Sequence, residues 1–241
     1  MLNFVKNFGN FFCIQSFRCK FALELLKNKT LNRIVKNEHT IMKDQILNKA
    51  TEMFLTLGFK SVTMDDIASE MGISKKTIYQ HFSNKDNLVK DATTNLFENI
   101  SCGIDEIILA DKDPIEELFT IKEFVMQHLK DENTSPIYQL QKYYPKIHKS
   151  LMIKQFDKMG TCVIDNLEKG IQLGLFRKDI RKELISRFYF AGMTSIKDVE
   201  LFNPKEFSSK TVQSCYLEYH LRGICTPKGT IQLETIINTN K

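Results

Sequence analysis

From residue 43 onwards, apolar residues recur at helical spacing between short polar breaks. The apolar positions of the first run share one face of a helix: Ile46, Leu47, Ala50, Phe54 and Leu57. Gly58 follows directly, and a glycine that can adopt a positive φ is a common end of a helix. The pattern therefore predicts an amphipathic helix that begins near Met42 and ends at Gly58.

Two short helices are predicted next. Thr63 and Asp66 have the spacing of a capping box, in which each side chain satisfies a free backbone N–H at the start of a helix. Gly72 marks the end of the helix that they begin. Ser74 is a favourable N-cap for the following helix. The order of caps and glycines thus predicts two consecutive helices joined by a tight turn.

The second of these helices has an apolar side and a polar side. Ile78 and Phe82 are four residues apart and point to the same side. The helix is too short to be stable alone, since isolated helices below roughly 12–15 residues are marginal in water. It must therefore pack against its neighbour, which describes a helix-turn-helix unit. An ordinary helical corner with a solvated face would show the same pattern.

The stretch 46–89 resembles the tetracycline-repressor (TetR-type) family of bacterial regulators. The residues that carry the resemblance are Ala50, Phe54, Gly58, Phe59, Thr63, Ile67, Ala68, Gly72, Ser74, Tyr79, Phe82, Lys85 and Leu88. The resemblance implies an all-α fold, with an N-terminal helix-turn-helix DNA-binding domain followed by a helical ligand-binding and dimerisation domain.

The resemblance also implies a role for each matching residue. The short second helix would present one set to the major groove: Ser74, Lys75, Lys76, Thr77 and Gln80. Another set would contact the DNA backbone: Thr63, Tyr79, His81 and Lys85. A small residue commonly stands in the family where this chain has Lys76. Its ammonium group could contact a phosphate or a guanine, or could only be solvated.

Charge is distributed unevenly along the 241 residues. The net charge of +5 equals the excess of seven basic over two acidic residues in residues 1–41, so residues 42–241 are neutral overall. A nucleic-acid interface must therefore depend on a local patch. Residues 72–90 carry four lysines and one acidic residue, which makes this piece +3.

Three regions are predicted. Residues 1–41 are an N-terminal extension outside the fold, with Met42 as a plausible true start, although a basic arm for the DNA minor groove is the alternative. Residues 42–90 are the helix-turn-helix domain. Residues 91–241 are the helical ligand-binding and dimerisation domain.

The second domain contains two candidate surfaces. An aromatic and methionine-rich zone could line a ligand pocket, or could be ordinary core: Tyr143, Tyr144, His148, Phe156, Met159 and Phe190. Two helices near residues 179–197 and 208–225 could pair in a homodimer, or could form an intramolecular core. Their candidate interface residues are Leu184, Phe188, Ala191, Gly192, Ser195, Tyr216 and Tyr219.

Other classes of chemistry have little support. The chain shows no catalytic motif, so we expect no enzyme, no cofactor and no metal site. The six cysteines form no CxxC pair and are expected to be small buried residues in a reducing cytoplasm. No run of 18 apolar residues predicts a membrane span.

The favoured function is a cytoplasmic, sequence-specific DNA-binding regulator of transcription. It would be a repressor that a small-molecule ligand releases from its operator. The expected partners are a double-stranded DNA operator, a second copy of the chain in a homodimer, and an unknown small molecule. The alternative is a helical interaction protein that has lost DNA binding.

Overall fold

The computed structural model describes residues 39–129 and 136–239, and most of these residues are helical. The first helix, α1, covers residues 39–57. It is followed by α2 (Met64–Met71), α3 (Lys75–His81), α4 (Lys85–Leu109), α5 (Pro114–Leu129), α6 (Pro136–Tyr143), α7 (Pro145–Gln172), α8 (Lys182–Ser195), α9 (Ser209–Ile224) and α10 (Pro227–Thr239). The predicted all-α class is confirmed for the described part of the chain.

The chain divides into two units between Ile46 and Leu47. Of the first unit, the structure describes only residues 39–46, which are helical. Most of the predicted extension, residues 1–38, lies outside the described residues. The second unit, residues 47–241, contains the helix-turn-helix and the helical bundle.

Both glycines expected to end helices do so. Gly58 has φ of 90° after α1, and Gly72 has φ of 64° after α2. Of the apolar face predicted for α1, Ala50 and Phe54 are fully buried, but Leu57 is 56% exposed. The prediction of a buried Leu57 was wrong, because Met53 and Leu55 turn towards the core in its place.

The helix α4 passes without a break through the boundary predicted at residue 90. Leu88 and Val89 at its beginning are fully buried. Its later turns pack against α5 and α7. One continuous helix therefore belongs to both regions, and the domain limits remain a prediction.

One hydrophobic core lies between α5, α7, α8, α9 and α10. Its fully buried members include Ile115, Leu167, Phe176, Leu221 and Leu233. No helix was predicted after residue 225, whereas α10 begins at Pro227, a residue that suits the first position of a helix. Gly229 allows α10 to approach closely, since a Cβ there would lie 2.1 Å from the carbonyl oxygen of Leu175.

The expectation of buried cysteines was only partly correct. Cys225 is buried and Cys162 is half-buried, but Cys102 and Cys215 are exposed because they lie on outward faces of α4 and α9. Cys13 and Cys19 lie outside the described residues. None of the helices in the described ranges combines the length and apolar character that a membrane span requires.

Candidate nucleic-acid interface and ligand cavity

The start of α2 is held by the predicted capping box. The backbone N–H and the hydroxyl of Thr63 both donate to Asp66 Oδ2 at 2.8 Å, and the Asp66 N–H donates to Thr63 Oγ1 at 3.2 Å. These hydrogen bonds from Thr63 lower the pKa of Asp66. Because the carboxylate also complements the positive end of the helix dipole, α2 begins at a fixed residue.

The helix α3 is fixed by its inner face and its cap. Ile78 and Phe82 are almost completely buried, as predicted. Ser74 accepts a hydrogen bond from the Thr77 N–H at 3.1 Å, and the two hydroxyls lie 2.8 Å apart. The seven residues of α3 are thus held in place by burial against α2 and by one N-cap. The outer face of α3 therefore remains available for contact with a partner.

The predicted groove-facing residues differ in exposure. Lys76, Tyr79 and Gln80 are exposed on the outer side of α3. Thr77 and His81 are half-buried at the edge of this side. The hydroxyls of Ser74 and Thr77 already bond to each other, so the side chains that project most fully are Lys76, Tyr79 and Gln80.

The lysine patch is less positive than the sequence count indicates. The ammonium group of Lys75 forms an ion pair with Asp65 on α2 at 2.7 Å. This hydrogen bond raises the pKa of Lys75 and keeps it charged. Part of its charge is therefore balanced within the protein, whereas Lys76 forms no ion pair with the described residues.

Lys85 has a structural contact at the start of α4. Its ammonium group donates to the carbonyl oxygen of Lys60 at 3.2 Å, in the turn between α1 and α2. Burial lowers the pKa of this half-buried lysine. Lys85 thus joins α4 to the turn after α1. Its predicted contact with a DNA phosphate would use the same ammonium group that donates to the Lys60 carbonyl oxygen.

A cavity of about 210 Å³ lies inside the bundle. Apolar side chains from most of the helices line it, including Leu55, Phe59, Ile100 and Leu140. Three aliphatic residues of α4, Leu96, Ile100 and Ile104, are half-buried and line this space. The cavity therefore reaches from the end of α1 and the turn after it into the larger helical part.

The predicted ligand-binding zone is not brought together as one group. Met159 and Phe190 line the cavity, and the ring of Phe156 packs edge-to-face against Phe190 at 5.2 Å. Tyr144 instead packs against Phe59 at 6.4 Å, and Tyr143 lies beneath the ammonium group of Lys60 at 4.9 Å. His148, also away from the cavity lining, is half-buried, and burial lowers its pKa.

Sequence reasoning missed the polar residues of the cavity. Lys122 lines it and is only 8% exposed. Its ammonium group donates to Ser214 Oγ at 3.0 Å and pairs with Glu123 at 2.9 Å. A signal was present, because Lys122 interrupts the buried apolar stripe of α5 at helical spacing from Leu118 and Met126.

Glu117 is a second buried polar residue of the cavity lining. It accepts a hydrogen bond from Asn166 Nδ2 at 2.7 Å. Burial raises the pKa of its carboxyl group. Asn166 also donates to the carbonyl oxygen of Pro114 at 2.9 Å, so this polar pair joins α7 to the start of α5.

The helix α6 connects the cavity to the turn after α1. Ile137 and Leu140 line the cavity from α6. On the same helix, Gln139 Oε1 accepts a hydrogen bond from the Lys60 N–H at 3.1 Å. A Cβ at Gly58 would lie 2.4 Å from the Gln139 amide, and the φ of 90° at this position is one that residues other than glycine rarely adopt. The helix α6 therefore contacts both the cavity and the turn after α1.

The candidate dimer residues divide into two groups. Leu184, Phe188 and Ala191 on α8 are exposed, as is Ser195 at the end of that helix. Tyr219 on α9 is 76% exposed. These five residues form an outward face in the single chain.

Gly192 and Tyr216 pack against each other within the chain. A Cβ at Gly192 would lie 2.1 Å from the Tyr216 ring. The hydroxyl of Tyr216 donates to the carbonyl oxygens of Phe188 at 3.0 Å and Tyr189 at 3.2 Å. These two residues therefore hold α8 against α9 in one protomer, which is the intramolecular alternative considered from sequence.

Residues 46–92 match the family model described as "Bacterial regulatory proteins, tetR family". The chain is 25% identical over 195 residues to the HTH-type transcriptional repressor KstR2 of Mycolicibacterium smegmatis, a match that covers 78% of this chain and 92% of that protein. It is 31% identical over 91 residues to the HTH-type transcriptional activator FasR of the same organism, covering 38% of this chain and 40% of FasR.

A solved structure has the same fold. The ketosteroid transcriptional regulator KstR2 of Mycobacterium tuberculosis superposes with a TM-score of 0.54 at 22% identity. The match covers 76% of this chain and 95% of that one. The similarity therefore includes the helical bundle as well as the helix-turn-helix.

Proposed function

Because this chain belongs to the TetR family of DNA-binding transcriptional regulators, we propose that it represses transcription by binding an operator through α3. A small molecule in the cavity would release it. The KstR2 relative, which matches over most of its length, is named a repressor, and this supports repression over activation. As a chromosome-binding protein, it would act in the bacterial cytoplasm.

The observation that carries the proposal is the arrangement of α3. Its inner side is buried through Ile78 and Phe82, while Lys76, Tyr79 and Gln80 project from its outer side. The ammonium group of a lysine can bind phosphate oxygens. The side-chain amide of Gln80 can form hydrogen bonds with the donor and the acceptor that adenine presents in the major groove. This arrangement favours a DNA-binding role over a helical interaction protein that has lost it.

Selection of genomic fragments with the purified protein, followed by sequencing, tests DNA binding. We expect one or a few enriched sequences, and anisotropy measurements on them should show affinity falling steeply between about 50 and about 200 mM salt through counterion release. A random duplex of equal length is the control. Equal affinity for the selected and random duplexes would contradict sequence-specific binding.

Release by a ligand would follow from a shift between two conformations. Leu55 and Phe59 belong to the end of α1 and the turn after it, and both line the cavity. A molecule that fills the cavity would therefore favour a conformation in which this region has moved. In a dimer, the distance between the two α3 helices would then no longer match the spacing of the two half-sites. Only a ligand with different affinities for the two conformations would shift the equilibrium.

Dimerisation is proposed through the outward face formed by Leu184, Phe188, Ala191, Ser195 and Tyr219. Phe188 is 62% exposed, and large apolar side chains grouped on one surface mark interaction sites. A twofold axis through this face would place the same residues of both protomers in contact. The dimer would also present one α3 from each protomer to a pseudo-palindromic operator. The half-sites of this operator would lie about 34–36 Å apart or at a multiple of that spacing.

The substitution Phe188→Glu tests this face, because it would place two carboxylates in an apolar contact. We expect a shift from dimer to monomer in light scattering at micromolar concentration, with unchanged helical content. The control is Leu109→Glu, at an exposed leucine of α4. A Phe188→Glu variant that remains as dimeric as the control would contradict this interface.

A further inference from the structure

The lining of the cavity restricts the chemistry of what can fill it. Most of the lining consists of aliphatic, aromatic and methionine side chains. The volume of about 210 Å³ is below the roughly 300–1,000 Å³ of pockets that hold drug-sized molecules. The occupant is therefore small and mostly apolar.

Part of the cavity lining is polar. Lys122 lies there with its ammonium group bonded to Ser214 on α9 and paired with Glu123. The next residue on α9, Gln213, also lines the cavity, as do Thr194 and Lys197 from the end of α8 and the residues after it. Two ammonium groups, an amide and a hydroxyl thus belong to the walls that α5, α8 and α9 contribute.

The charges of the lining favour an anion. Among the described lining residues are three lysines, Lys122, Lys158 and Lys197, and one residue with a carboxyl group, Glu117. Lys158 forms an ion pair with Asp105. Burial raises the pKa of Glu117, which disfavours its negative charge. Acidic partners balance part of the charge of Lys122 and Lys158, but their ammonium groups still repel a cation and offer N–H donors to an anion.

Lys122 has the capacity to bind a ligand oxygen. An ammonium group has three N–H donors, and Ser214 accepts a hydrogen bond from one of them. Glu123 forms an ion pair with the same ammonium group, and the ring of Phe119 lies 5.4 Å from it. Glu123 is half-exposed, so it compensates the buried charge only partly. A buried charge is costly unless it is paired and hydrogen-bonded, and a ligand carboxylate would complete that pairing.

We propose that the cavity binds a small flexible hydrocarbon chain with one carboxylate, a medium-chain fatty acid, whose head group contacts Lys122. This inference rests on the proposed function, in which the cavity holds the effector. The apolar lining would bury the chain, and Lys122 with the neighbouring polar lining residues would select the carboxylate over uncharged or cationic heads.

The wild-type protein tests the head group without any substitution. Decanoate, decanol and decylamine share one chain length and differ in charge, and calorimetry in the absence of DNA gives the three affinities. We expect decanoate to bind about tenfold to a hundredfold more tightly than decanol, and decylamine to bind most weakly. Equal affinity for decanoate and decanol, or tighter binding of decylamine, would overturn the proposal.

Variants at Lys122 test the contact itself. Lys122→Met should remove the preference for decanoate over decanol, and Lys122→Arg should retain most of it. The control Lys178→Met changes an exposed lysine away from the cavity and should behave as wild type. If Lys122→Met folds, as circular dichroism would show, and keeps the full preference, the assignment of Lys122 is wrong. If it does not fold, the Lys122→Arg variant and the wild-type series decide.

DNA binding is measured separately, so the two proposals can fail independently. If decanoate binds with the expected preference but leaves operator affinity unchanged, ligand release is contradicted and the head-group assignment stands. If a different molecule releases the operator while decanoate and decanol bind equally, release stands and the head-group assignment fails.

Discussion

At the scale of single residues, His220 couples the stability of α9 to pH. Its ring lies 4.8 Å from the ring of Tyr189 and 6.2 Å from that of Tyr216. Burial lowers the pKa of His220 to about 4, below the value of about 6.5 for a free histidine. The folded state therefore binds a proton less readily than the unfolded state does.

The sign of the pH effect follows from this difference. Above pH of about 6.5 neither state is protonated at His220, and its neutral ring keeps its full contribution to stability. As the pH falls from about 6.5 towards about 4, the unfolded state gains a proton that the folded state does not. The free energy of unfolding should fall by up to about 3 kcal/mol from this group over that interval.

Urea unfolding at several pH values between about 7 and about 5 measures this effect. The substitution His220→Phe keeps an aromatic ring in the site and removes the titration, so its stability should decline less with falling pH than that of wild type. His128→Phe, at an exposed histidine of α5, is the control and should decline as wild type does. Parallel pH profiles for His220→Phe and wild type would contradict the assignment.

At the scale of elements, the helix caps could be predicted from the sequence, but the cavity between the helices could not. The capping box of Thr63 and Asp66 and the cap at Ser74 are each contained within four residues, so the sequence carries the whole signal. The role of Leu96 differs, because a half-buried residue beside a cavity has the same spacing as a core residue. The cavity arises from how α4, α5 and α7 pack, and no segment alone encodes it.

Gln80 and Lys76, two of the exposed side chains of α3, should have different effects on DNA binding. Gln80→Ala removes a group suited to a base edge, so we expect a loss of about 1–3 kcal/mol on the operator and a relaxed preference at one base pair. Lys76→Ala removes a positive charge, so it should weaken operator and random DNA similarly if it contacts a phosphate. Anisotropy with the operator, single-base variants and random DNA separates these effects.

Gln172→Ala, at an exposed residue of α7, is the control for these substitutions. A Lys76→Ala variant that loses affinity mainly at one guanine would instead assign Lys76 to a base contact. Equal losses on every duplex for Gln80→Ala would contradict its role in base recognition.

At the scale of the whole molecule, α6 joins the cavity to the helix-turn-helix. Leu140 lines the cavity, and Gln139 accepts the hydrogen bond from the Lys60 N–H in the turn after α1. The start of α4 meets the same turn through Lys85 and the Lys60 carbonyl oxygen. A ligand that moves α6 would therefore act on the turn that precedes α2 and, through Lys85, on the start of α4 that follows α3.

Loss of the Gln139 contact should weaken this coupling. One neutral hydrogen bond contributes about 0.5–1.5 kcal/mol, so Gln139→Ala should reduce the ligand-induced change in operator affinity by about twofold to tenfold. Operator affinity without ligand should change little, because Gln139 lies away from α3. The measurement is the ratio of operator dissociation constants with and without a saturating ligand of the cavity.

Gln141→Ala provides a close control, because Gln141 lies on the same helix but is exposed. Its coupling ratio should match that of wild type. Binding of the ligand in the absence of DNA should be equal for both variants, since neither Gln139 nor Gln141 lines the cavity. If Gln139→Ala binds ligand normally and keeps the full ratio, the signal passes through other contacts, of which the packing of Phe59 at the cavity wall is the most direct.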